Sequence, residues 1–65
     1  DGLSAIRKII NKSSELIKKN GKFVLEIGFD QKNKVISLLR KKGFYINSIN
    51  KDFANIDRCI VCTKI

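Results

Sequence analysis

Histidine is absent from this 65-residue chain, and its only two cysteines, Cys59 and Cys62, stand three apart with no second pair elsewhere. That argues against a zinc site of Cys and His ligands. A C-x-x-C string on a turn can cycle as a dithiol. Here it lies in Arg58-Cys59-Ile60-Val61-Cys62-Thr63-Lys64-Ile65, whose β-branched residues mark a strand. Residues three apart on a strand point to opposite faces, so both read as buried free thiols. No metal site is expected. Missing too is any apolar run near the roughly 20 residues that span a bilayer, and Asp1-Gly2-Leu3 lacks signal-peptide character. The expectation is a soluble, cytoplasmic protein with no membrane partner. At this length, residues 1–65 form one domain or part of one, of modest stability alone.

What the chain has in plenty is positive charge: 14 Lys and Arg against 6 Asp and Glu, a formal +8. Such a surface raises encounter rates with nucleic acid, anionic membrane or acidic protein without conferring specificity. It serves equally as a solvated face, and abundant Lys, Ile and Asn are what an A- and T-rich coding sequence supplies.

The most informative stretch is Lys22-Phe23-Val24-Leu25-Glu26-Ile27-Gly28-Phe29-Asp30-Gln31, an apolar run that stops at Gly-Phe-Asp and gives way to a helical pattern. A run apolar at odd and even positions belongs to a strand covered on both faces. In open α/β sheets the carboxyl ends of such strands form the binding crevice. The turn after this strand is therefore the first place to look for function.

Upstream, Leu3, Ile6, Ile9, Ile10, Leu16 and Ile17 recur at helical spacing, with Arg7, Lys8, Lys12, Glu15, Lys18 and Lys19 on the opposite side. Asp1 can cap this helix and Asn20-Gly21 can stop it. The strand Lys22 to Phe29 follows. Asp30 offers an N-cap to a second helix, with Val35, Leu38 and Leu39 inward, and Gly43 ends it. Phe44 to Ile49 and Arg58 to Ile65 read as further strands joined by the polar segment 50–57. The fold class is α/β in the order helix-strand-helix-strand-strand: two parallel strands, a final antiparallel one, and helices on one face.

Phe23, Leu25 and Ile27 line one face of this sheet, while Val24 and part of the last strand are apolar on the other. Two helices cover one face only. An uncovered apolar face implies either the end of a larger domain or an obligate oligomer. The opening helix, which looks like a crossover from a missing strand, favours the first.

Asp1-Gly2-Leu3 with Ile6-Arg7, then Leu25-Glu26-Ile27-Gly28 with Gln31, then Gly43-Phe44, Lys51-Asp52 and Asp57-Arg58, in this order and spacing, resemble the C-terminal part of the HemK family. Its members are S-adenosylmethionine-dependent methyltransferases that modify the glutamine amide in the Gly-Gly-Gln loop of peptide chain release factors. The resemblance covers nearly the whole chain. It implies the last three strands of a seven-stranded Rossmann-like sheet, completed by the N-terminal remainder of the domain, with a release factor as protein partner. The family binds its donor with a glycine-rich loop and an acidic residue, and its target with an Asn-Pro-Pro-Tyr motif. This chain has no proline and no such loop. No catalytic or donor-binding residue carries over, and the chain alone is expected to be inactive.

What remains is a rim on the substrate side: Glu26, Gly28, Gln31, Lys51 and Arg58. Gly28 would permit close backbone approach, Gln31 would hydrogen-bond a partner or adjoining loop, and Lys51 or Arg58 would steer the release factor. Beside these stand plainer readings. Glu26 reads as a partly buried carboxylate bracing the turn. Asp57-Arg58 reads as a hairpin-end ion pair of little energetic weight. Gly2 and Gly43 read as backbone devices.

Two other classes stay open. A free-standing RNA-binding module would need an aromatic platform, for which only Tyr45 and Phe53 are candidates once Phe23, Phe29 and Phe44 are assigned to the core. A structural dimerisation module would pair the open sheet face with a second copy.

Overall fold

The computed structural model describes residues 3–28 and 30–65, and of Asp57 the backbone only. The capping role expected of Asp1, the backbone role of Gly2 and the core position of Phe29 lie outside the described residues. The order is α1 (Leu3–Leu16), β1 (Lys22–Glu26), α2 (Lys32–Lys41), β2 (Phe44–Lys51) and β3 (Asp57–Lys64).

Helix α1 forms because Leu3, Ile6 and Ile10 recur on one stripe and are buried together. It ends at Leu16, earlier than the apolar pattern suggests, and Leu16 and Ile9 are exposed. Asn20, at φ 72°, takes the left-handed turn that Gly21 was expected to share. The turn is then sewn to the far end of β3. Asn20 N–H donates to the Lys64 carbonyl at 2.7 Å, and Lys64 N–H donates to the Gly21 carbonyl at 2.9 Å. Lys64 Nζ reaches back to the Ser14 carbonyl at 2.9 Å, a cation on the negative end of α1, and sits 5.3 Å from the Phe44 ring centre.

Helix α2 buries Val35 and Leu39 completely, with Leu38 only partly covered. Its start corrects the expected Asp30 cap. Gln31 holds the N-cap position with no side-chain cap bond, and Asp30 is an exposed turn residue. Gly43, at φ +85°, ends the helix as its missing Cβ allows.

Both β1 and β2 pair antiparallel with β3, giving the order β1-β3-β2. The two outer strands run in one direction, and the returning hairpin strand is wedged antiparallel between them, so that no parallel pair forms among the described residues. An irregularity between Ile46 and Ser48 shifts the register of β2. In the resulting ladder Leu25 lies opposite Ile60, which lies opposite Ile49, and Phe23 opposite Cys62, which lies opposite Ile46. These residues join α1 and α2 in one core around Val35, Leu39, Phe44, Ile60 and Cys62. The Phe23 and Phe44 rings pack 5.9 Å apart. Both helices thus cover one face, as expected.

The other face carries Lys22, Val24 and Glu26 from β1, Cys59, Val61 and Thr63 from β3, and Tyr45, Ser48 and Asn50 from β2. Val24 is 61% exposed and Tyr45 59%. The face is uncovered, but polar residues break up the apolar patch that the sequence suggests. Cys59 and Cys62 are free thiols on opposite faces of β3. Burial alone pushes the Cys62 thiol above the ordinary range. No helix among the described residues is long and apolar enough to cross a membrane.

Candidate functional site at the rim of the sheet

Strand β1 stays joined to β3 one residue past its last ladder position, where Ile27 N–H donates to the Arg58 carbonyl at 2.8 Å. The chain then turns on a reciprocal pair of bonds. Gly28 N–H donates to Gln31 Oε1 at 2.8 Å, and Gln31 N–H donates to the Gly28 carbonyl at 3.1 Å. A Cβ on Gly28 would stand 2.9 Å from Gln31 Oε1, so glycine is what admits the side-chain amide. The close approach expected at Gly28 is therefore made by Gln31 itself, whose oxygen closes the turn. Glu26 is exposed on the open face opposite Cys59, rather than partly buried. Gln31, not Glu26, braces this turn.

The β2–β3 loop emerges at the same end, since Glu26, Cys59 and Asn50 stand in one row across the sheet. Lys51 closes β2, exposed and in register with Asp57. Beyond it, Asp52 organises the connection. Its Oδ1 accepts the N–H groups of Ala54 at 2.9 Å and Ile56 at 3.0 Å, and its Oδ2 accepts Arg58 Nε–H at 2.8 Å. Asp52 N–H donates to the Ile56 carbonyl and Asn55 N–H to the Asp52 carbonyl, with Asn55 at φ 65°. The Arg58 hydrogen bond and then the Ile56 amide hold the Asp52 carboxyl below the usual carboxylate range. Arg58 is thus tied to Asp52, whereas the sequence suggested Asp57, whose side chain lies outside the description. Its charge is locally neutralised, which weakens it as a long-range steering group.

All five expected rim residues therefore gather at one end of the sheet, and Gly28, Gln31 and Arg58 are engaged within their own turns. Asp52 enters the sequence reading only within the Lys51-Asp52 pair and is absent from the expected rim. Its signal was available, because an aspartate followed by Ala54 and Asn55 is a side-chain-capped turn in the making. Phe53 stands at the tip of that loop with a relative exposure of 113%. Full burial of such a side chain would stabilise by roughly 1.5–3 kcal/mol, none of which is gained here. Tyr45 is the second residue of β2 and Phe53 lies past its other end, so the two do not form one stacking platform.

Two adjoining cavities lie on the helical side rather than at the rim. One of about 230 Å³ is lined by Arg7, Ile10, Asn11, Leu38, Lys41 and Lys42. Another of about 410 Å³ shares Arg7 and Leu38 and continues to Lys34. Among the described residues no group of three or more His, Cys, Asp or Glu is placed to hold a metal ion.

Comparison with known proteins gives the class first: over its whole length the chain matches a fragment of a HemK-family methyltransferase. A bifunctional methyltransferase of Rickettsia felis is 40% identical over 65 residues, which is all of this chain and 12% of that protein. More particularly, the release factor glutamine methyltransferase of Clostridium acetobutylicum is 36% identical over 64 residues, 98% of this chain and 22% of that protein. The enzyme of that name from Coxiella burnetii is 33% identical over 64 residues, 98% and 23% of the two chains. This chain spans less than a quarter of the length of these curated relatives. No family profile and no solved structure matches it.

Proposed function

We propose that the chain is the C-terminal portion of a methyltransferase that moves a methyl group from S-adenosylmethionine to the glutamine side-chain amide of peptide chain release factors. The observation that carries this is the match over nearly the whole chain to the Clostridium acetobutylicum enzyme of that name.

The sheet supports the reading. In an antiparallel ladder alternate residues exchange hydrogen bonds with the partner strand. Gly21 and Ile27 bond to β3, which leaves the backbone groups of Lys22, Val24 and Glu26 pointing away from it. Nothing among the described residues pairs with that edge. An edge strand this apolar is an aggregation hazard unless another strand covers it. In this reading the earlier strands of the domain add there, and the N-terminal remainder covers the open face.

S-Adenosylmethionine does not fit this chain by itself. The Gly28 turn is filled by Gln31, and the cavities described lie between the helices. When bound to the whole domain, the donor supplies an electrophilic methyl group. The part played by these residues is positional. Gly28 and Gln31 fix the end of β1, Asp52 and Arg58 fix the neighbouring loop, and Glu26 and Lys51 present charge beside the approaching substrate, where orientation governs rate.

The test is incubation of the full-length protein with labelled S-adenosylmethionine and an unmodified release factor, with the product mapped by mass spectrometry. Label on the release-factor glutamine is expected, and none from residues 1–65 alone. Label on another residue or on RNA, or transfer by the isolated chain, would overturn the reading.

A further inference from the structure

We propose that Phe53 is an aromatic anchor that enters an apolar pocket on the protein substrate, an inference that rests on the release-factor reading above. Turn residues are ordinarily chosen for local hydrogen bonding or for a left-handed backbone. Asp52 and Asn55 meet those needs here, and Phe53 serves neither. Its ring is fully exposed, yet the loop beneath it is fixed at both ends by the Asp52 carboxylate and the Arg58 guanidinium. A stiff loop that displays a ring with few rotamers loses little entropy when the ring is captured, which is how protein-binding hot spots are built.

Position selects the partner. The loop follows β2 and emerges at the same end of the sheet as the Gly28–Gln31 turn, beyond the carboxyl ends of β1 and β2, where open α/β sheets receive their ligands. Chemistry points to a protein rather than a nucleic acid. The nearest organised charge is the Asp52 carboxylate, Arg58 is paired with it, and Tyr45 lies at the other end of β2. A base-stacking site would call for a second ring and cations that face phosphate.

Full-length wild-type protein and its Phe53→Ala and Phe53→Leu variants are compared by steady-state methyl transfer to a release factor. Phe53→Ala should raise the KM for the release factor about thirtyfold, the lower bound of a hot-spot effect, with turnover at saturation and the KM for S-adenosylmethionine unchanged. Phe53→Leu should recover part of the loss. An unchanged release-factor KM with an active wild type would overturn the anchor and leave the enzyme reading standing. Lower turnover with the release-factor KM unchanged would also overturn it, assigning Phe53 to packing within its own domain. No transfer by the wild type would overturn both.

Discussion

The two faces of this sheet share three strands and one hydrogen-bond ladder, yet only one of them is finished. Neighbours in sequence differ sharply: Leu25 is 6% exposed and Val24 61%, Phe44 2% and Tyr45 59%. Two helices suffice to cover one side, where Ile10, Val35, Leu39 and Ile60 exclude water. The other side is a compromise. Val24 and Val61 face outward among Lys22, Ser48, Asn50 and Thr63, and Thr63 Oγ1 bonds Asn47 Oδ1 at 2.6 Å. Polar residues make that side tolerable in water, while its valines and the bare β1 edge suit it to being covered. Completeness here belongs to a face of the sheet, not to the chain as a whole.

Ile60→Ala should break the finished face most severely. Truncating a fully buried Ile costs about 2–5 kcal/mol, comparable with all the stability expected of so small a chain, and thermal melting of residues 1–65 should show no cooperative transition. The two thiols sharpen the contrast next. Cys59 on the open face should react with a small alkylating reagent in the native chain. Cys62, buried and held protonated, should react only after denaturant is added. Val24→Ser should change the stability of the isolated chain by no more than about 0.5 kcal/mol, the usual range for an exposed site, and cost distinctly more in the full-length protein.

Smallest is the effect of acid on the rim loop. Asp52 is held below its ordinary pKa, so the bonds it makes contribute fully above the unfolded-state value and are lost as pH falls through the folded one. Amide exchange at Ala54 and Ile56, followed by NMR below about pH 4, should accelerate before the core amides respond. Because the carboxylate is partly open to solvent, which screens its bonds, global stability should hardly move.

Much of this was legible in the sequence because periodicity reports burial directly. The helical stripe of Leu3, Ile6 and Ile10, the inward Val35 and Leu39, and the opposed faces of Cys59 and Cys62 all follow from it. What it does not report is which neighbour a strand chooses. The wedging of β3 between β1 and β2 rests on a β1–β3 pairing between strands separated in sequence by α2 and β2, and no local residue encodes it. Side-chain to backbone competition was equally hidden. Gln31, not the expected Asp30, holds the cap position and folds onto Gly28, and Asp52, across the loop, bonds Arg58. Of the rim, the location was readable from strand direction. Which of its groups are tied into their own turns was not.

The most direct measurement is hydrogen exchange at the Val24 and Glu26 amides in the full-length protein. If this chain completes a larger methyltransferase sheet, both amides are hydrogen-bonded to a preceding strand and exchange as slowly as those of the Leu25 and Ile60 pair. Rapid exchange at Val24 and Glu26, with Leu25 and Ile60 protected, would show that β1 ends the sheet and would contradict that architecture.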